Sequence, residues 1–230
     1  MPKRKSAQSM CAQYSIKTTS DKLLEQINLI DLSTKIEIDQ RLLPHAVGPV
    51  IVHTHLGTKL TPMRFSLVPS WSAEPKVKFA THNARIETIL EKPTWKQPFL
   101  SQHCVVPMTA FYEAAYTGPL AGNMIKFESE NNSVIFAAGI FDFWKDKSEP
   151  KNSFFSFSIV TRDPSDFIVE QGHDRTPIFI PANFISQWLA PNEKSAELIK
   201  VKAQLLTNAY HPNLKVDVDR ALKAGWEKRK

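Results

Sequence analysis

The chain has 230 residues, 42% of them hydrophobic, and its 14 Phe and 5 Trp supply an aromatic-rich core for one generous domain. A formal charge of +6 favours an anionic partner such as nucleic acid. Two cysteines and no CxxC exclude a disulfide framework and point to a reducing compartment, and no apolar run approaches the ~18 residues of a membrane span.

Residues 1–10 read as a basic leader, structureless or absent from the mature protein, with no apolar stretch of the kind a secretory signal needs. Residues 11–230 read as a single domain. Cys11 to Lys17 alternates weakly and suits a strand that anchors the N-terminus. Thr19 and Ser20 can cap a helix from Asp21, with Leu23, Leu24, Ile27 and Ile30 at helical spacing. Val50 to His53 and Met63 to Val68 read as strands, and Ser72 to Thr81 as a surface loop carrying Lys76 and Lys78.

Asn83 to Glu91 reads as a loop entering a short helix that halts before Pro93, and Phe99 ends a second helical turn. Cys104 to Met108 and Ala110 to Tyr112 suit short buried strands. Asn123 to Glu128 and Ser133 to Phe143 suggest a hairpin turning at Asn131-Asn132. Phe154 to Thr161 is a further strand, and the turn Gly172 to Arg175 leads into another over Pro177 to Ile180. Pro181 to Trp188 and Lys194 to Leu206 have helical patterns, the second amphipathic, and Val216 to Val218 is extended. Short strands with a few helices between them make an α+β domain.

Phosphate-binding glycine loops, HExxH, GxSxG and zinc spacings are all missing. His53 and His55 share a strand face, but no third metal ligand can be placed, so a solvated edge is the better reading and neither metal nor cofactor is expected. Polar groups embedded in apolar or turn contexts stand out in Met10-Cys11, in Thr81 to Thr88, in Cys104 to Glu113 and in Gly172 to Pro177. Each has a plain structural reading. Asn83 suits a helix N-cap, Glu113 a solvated strand end, His173 a turn and Cys104 the core.

In order, these stretches resemble the SRAP family (SOS response-associated peptidase-like proteins) from Cys11 to about Trp188. The family has a cysteine directly after the initiator Met. It then has an LVPSW-like element (Ser66 to Trp71), an NAR-E-T element (Asn83 to Thr88), a segment ending in F-Y-E (His103 to Glu113) and an H-x-R-M-P-like element (His173 to Pro177). This chain departs from it in three places. Cys11-Ala12-Gln13 stands where the family reads Cys-Gly-Arg, Leu43-Pro44-His45-Ala46 stands where an Asn-x-x-Pro segment is usual, and ten residues precede Cys11.

The resemblance implies an α+β fold of mixed, mostly antiparallel β-sheets with a barrel-like core and peripheral helices. It implies single-stranded DNA carrying abasic sites as the partner, a monomer, no cofactor and no membrane. Cys11, once N-terminal, would join its amine and thiol to the abasic aldehyde as a thiazolidine. Asn83, Glu113 and His173 would be its catalytic helpers, Arg85 and Arg175 phosphate ligands, Lys76 and Lys78 looser contacts, and Trp71, Phe111 or Tyr112 base-stacking groups. The thiol is also placed to cut away the leader, although translation from Met10 is simpler. Other readings are a thiol peptidase acting on other proteins and a non-covalent DNA-binding module with lost chemistry. The expected location is the bacterial cytosol, or the nucleus if Pro2 to Lys5 is a localisation signal.

Overall fold

A computed structural model of the protein describes residues 13–19, 22–23, 37–131, 133–189 and 196–229. Cys11 lies outside the described residues, as does most of the helix expected from Asp21, of which Lys22 and Leu23 are described and helical. Twelve strands are described: β1 (Gln13–Thr19), β2 (Glu37–Leu42), β3 (Val47–Thr54), β4 (Gly57–Phe65), β5 (Asn83–Arg85), β6 (His103–Met108), β7 (Ala110–Ala114), β8 (Asn123–Ser129), β9 (Ile135–Trp144), β10 (Phe154–Arg162), β11 (Thr176–Pro177) and β12 (Leu214–Ala221). The helices are α1 (Pro93–Ser101), α2 (Asp166–Glu170), α3 (Ile185–Leu189) and α4 (Ala196–Ala209).

Five strands close on themselves in the order β10-β4-β3-β6-β9, with β9 returning to β10. The β4–β10 contact is parallel and the other four are antiparallel. Closure removes the sheet edges that would otherwise invite pairing with another chain. β5 and β11 extend the ring by pairing with β10. The second sheet, β12-β8-β7-β1-β2, is antiparallel throughout.

The strand sequences explain which faces are covered. Every residue of β6 is buried, because its two faces serve two cores. Cys104, Val106 and Met108 pack with Phe65 and Phe157 and with Tyr14, Phe111 and Phe127 of the second sheet. Val105 faces the other way, with Ile51, Ala138 and Ile140, and is covered by Phe99, Trp188 and Ile199 from the helices. The Trp188 indole N–H donates to the Cys104 carbonyl at 2.8 Å and fastens α3 to the barrel wall. Burial pushes the Cys104 thiol well above its usual range, so this cysteine is inert core.

The expected hairpin across Asn131-Asn132 is not there. β8 pairs with β7 and β12, whereas β9 pairs with β6 and β10. The chain passes from one sheet to the other at this point. Pro93, expected to follow a helix, instead opens α1, which runs on through Pro98 to Ser101; the first helical position needs no N–H donor. The strand expected over Pro177 to Ile180 is shorter, with Phe179 making only an isolated bridge to Ala137. Among the described residues no helix is long and apolar enough to cross a membrane.

Candidate active site

β7 and the turn before β11 meet in the interior. Alternation along β7 sends Phe111 and Glu113 to one face and Tyr112 to the other. The turn reaches Glu113 because of Gly172, whose φ is +86° and where an added Cβ would collide with the Thr117 carbonyl oxygen. Only glycine allows that approach, and the Tyr116 N–H donates to the Gly172 carbonyl at 3.0 Å to fix it.

His173 follows directly. Its Nε2 stands 3.0 Å from Glu113 Oε2, with the two side chains 1% and 2% exposed. Its Nδ1–H donates to the Ala114 carbonyl at 3.0 Å. With Nδ1 already a donor, Nε2 can face a carboxylate at this distance only if it too carries a proton. Burial pulls the His173 pKa down, but the Glu113 charge and hydrogen bond, the Ala114 carbonyl and Asp174 outweigh it and leave the imidazole above its usual value. The two side chains face each other out of water, beside a cavity of about 370 Å³ that Tyr116, Thr117, Asp163, His173 and Asp174 help to line.

Asn83 is buried in β5, opposite Ile159 of β10, and is not a helix cap. Arg85 ends the same strand opposite Thr161, half-buried. The short 3-10 turn Ile86–Thr88 then carries Glu87 back toward Arg175.

Arg175, expected to hold DNA phosphate, is already committed. Its Nη1–H donates to Glu87 Oε1 at 3.1 Å and Asp163 Oδ1 at 2.8 Å, and its Nη2–H to Glu87 Oε2 at 2.9 Å. The side chain is 6% exposed. It clamps the turn after β5, the end of β10 and the turn holding His173. Arg175→Met is expected to lower stability by about 1–3 kcal/mol, since charged hydrogen bonds are lost while the partly exposed carboxylates return to water. Arg175→Lys recovers little of this, because an ammonium cannot reproduce the fork. Denaturant unfolding of the variants checks both.

Phe111, expected as a base-stacking group, is fully buried and stacked on Phe127 with ring centroids 4.9 Å apart. No base can reach it. Trp71 is different, at 60% exposed. The root of its loop is fixed, since the Ser70 N–H donates to Asp142 Oδ2 at 2.8 Å and the Trp144 indole N–H to the Ser72 carbonyl at 2.9 Å. Lys76 and Lys78 are exposed on the same loop. Phe79, 51% exposed beside them, belongs to no motif and carries no signal in the sequence. His53 is exposed near the β3–β4 turn, its Nδ1 3.2 Å from Thr58 Oγ1, and no group of three metal-ligating side chains occurs among the described residues.

The family model described as SOS response associated peptidase (SRAP) matches residues 10–218. The chain belongs to the SRAP family. It is 24% identical over 193 residues to the abasic site processing protein YoqW of Bacillus subtilis, covering 83% of this chain and 85% of that one. It is 30% identical over 206 residues to the abasic site processing protein HMCES of Gallus gallus, covering 74% of this chain and 59% of that longer protein. Crystal structures of two bacterial proteins share the SRAP fold seen here. One, from Bacteroides thetaiotaomicron, has a TM-score of 0.71 at 22% identity, over 91% of this chain and 92% of that one. The other, from Bordetella bronchiseptica, has a TM-score of 0.71 at 19% identity, over 93% and 100%.

Proposed function

We propose that this SRAP protein acts in the response to DNA damage by binding single-stranded DNA and capturing abasic sites covalently through Cys11. The observation that carries this reading is the buried Glu113–His173 pair beside the start of β1. Gln13 is paired with Tyr112, the neighbour of Glu113. Cys11 stands two residues before Gln13, a reach of at most about 7 Å of chain. The abasic site processing proteins among the relatives support the substrate.

The chemistry needs an α-amine and a thiol on adjacent carbons, which only an N-terminal cysteine offers. His173 gives a proton to the sugar ring oxygen while the anomeric hydroxyl gives up its own to solvent, and the ring opens to the aldehyde. Glu113 takes a proton from the α-ammonium. The freed amine attacks the aldehyde carbon, water leaves, and the thiol adds across the resulting C=N bond while its proton passes to nitrogen. A five-membered thiazolidine results. An α-amine of pKa near ~7.7–8.0 is roughly a tenth neutral at pH 7, whereas a lysine near ~10.4 is under roughly a thousandth neutral.

Asn83 fixes the sugar hydroxyl or developing alkoxide. Arg85, Lys76 and Lys78 hold phosphates, and Trp71 stacks on a base beside the lesion. Residues 1–10 leave either by attack of the Cys11 thiol on its upstream peptide bond or by a start at Met10. The product is nearly stoichiometric, so lyase or peptidase activity is secondary to shielding the lesion.

The test is a denaturing gel of purified protein mixed with single-stranded DNA carrying one abasic site, with the N-terminus read by intact mass. A shifted band from protein beginning at Cys11 is expected. An unshifted band despite an exposed Cys11 and measurable DNA binding removes the crosslinking reading and leaves a binding module.

A further inference from the structure

One side chain spans the second sheet from edge to edge. Arg41 projects from β2, and its partners lie on three other strands. Its Nη1–H and Nη2–H donate to Asp219 Oδ1 and Oδ2 of β12 at 2.8 and 2.9 Å. Its Nη2–H also donates to Gln13 Oε1 at 2.8 Å. The guanidinium lies flat on the Tyr112 ring of β7, 3.7 Å from its centroid. Tyr112 is held in turn by Ser15, with their hydroxyl oxygens 2.9 Å apart. Asp219 also receives Arg220 at 2.7 Å, and it sits where a bulge in β12 shifts the register between Val218 and Arg220.

β2 and β12 are the two outer strands of this sheet and are not neighbours. Arg41 therefore does what no ladder hydrogen bond between β2 and β12 does, tying the C-terminal strand to Gln13 of β1. The linkage is specific to that residue. β1 is otherwise paired with β2 from Tyr14 onward and with β7 only over Gln13 to Ser15. Gln13 is two residues from Cys11, and its side chain is held by a fork that is itself held at both ends.

We propose that Arg41 is a positioning residue for the reaction at Cys11, acting through Gln13 and anchored by Asp219. This rests on the thiazolidine reading above. Arg41 does not touch the reacting atoms. It fixes Gln13, two residues along the chain from Cys11, and a misplacement of about 1 Å in such a reaction is enough to cost a large factor in rate. Arg41 is one-third exposed and its pairs lie at the surface of the sheet, so its removal leaves the barrel intact.

The experiment uses the chain beginning at Cys11 and compares Arg41→Ala, Arg41→Lys and Gln13→Leu with it. The single-turnover crosslinking rate is measured at saturating abasic single strand. Affinity is measured separately by fluorescence anisotropy with a strand carrying a tetrahydrofuran abasic analogue, which has no aldehyde. Arg41→Ala and Gln13→Leu are each expected to lower the rate at least tenfold and to change affinity less than threefold. Arg41→Lys recovers only part of the rate. The double variant is expected to be no slower than Arg41→Ala, because both break one link.

A parent-like rate in Arg41→Ala and Gln13→Leu overturns the positioning role and leaves the crosslinking reading standing. So does a loss that appears only in affinity and vanishes at saturation, which would make Arg41 a DNA contact. A parent chain that binds the strand and never crosslinks overturns both. If Arg41→Ala does not fold, Gln13→Leu tests the same link with the Arg41–Asp219 pair untouched.

Discussion

Cys11→Ser, made in a chain that begins at residue 11, is expected to give no heat-stable crosslink with abasic single-stranded DNA. Reduction of the same mixture with borohydride is expected to recover a covalent product. The two halves of the residue do different jobs. The amine alone forms the imine, which hydrolyses on heating unless reduced. The thiol closes the ring and makes the product survive. A serine hydroxyl is far less nucleophilic than a thiol and leaves the imine largely open. Extending the Cys11→Ser chain back to Met1, where no thiol can remove the leader, is expected to abolish the borohydride product as well, because the nitrogen of residue 11 is then an amide without the lone-pair basicity an imine needs. Borohydride trapping by the extended chain at the parent level would assign the imine to a lysine and remove Cys11 from the first step.

The family and the fold are legible in the amino-acid sequence. The ordered elements around Asn83, Glu113 and His173 carry a family resemblance that no single residue carries, and the fold they imply is the one found. Several strands are readable from alternation and apolar runs, but β2 and β5 are not, and the strand read over Met63 to Val68 is only the end of β4, which stops at Phe65. The hairpin expected at Asn131-Asn132 fails for a physical reason. β8 alternates in burial, as a one-sided strand should, whereas β9 is buried at six consecutive positions from Ile135 to Ile140. Strands with such different patterns seldom pair as neighbours in one exposed hairpin. Their short separation in sequence masks that signal.

Partners distant in sequence are out of reach of such reasoning. Arg175 reads as a free cation because nothing near it marks Glu87, 88 residues away, as its counter-ion. Phe111 reads as a wedge, although all five residues of β7 are buried. Arg41 carries no signal at all. It sits in an ordinary alternating strand, and its anchor Asp219 is 178 residues away. In the two arginines the deciding feature is a tertiary contact between unremarkable residues, which composition and spacing do not encode.

Glu113→Gln is expected to slow crosslinking at pH 7 by about 100-fold or more, within the usual span of general acid–base catalysis, and to change the shape of the pH profile. In the parent the rate rises as the α-ammonium loses its proton near ~7.7–8.0 and falls as the His173 imidazolium loses its own. Burial pulls the His173 pKa down, and the nearby Glu113 is the main influence that raises it. Glutamine takes away the base and the counter-charge together, so burial now draws the His173 pKa down and the falling, high-pH limb moves to lower pH. Raising the pH of the variant frees the amine without help and narrows the gap to the parent in part, but it does not restore the proton donor. Stability follows the same sign. A histidine whose folded pKa lies above its unfolded value near ~6.5 contributes stability that is complete below that pH and is lost as pH rises through the folded value. Thermal melts of the parent are expected to show that loss above pH ~6.5, and melts of Glu113→Gln to lack it. Profiles that superimpose after scaling, with melts of equal pH dependence, would mean that the buried pair holds the turn in place and moves no proton.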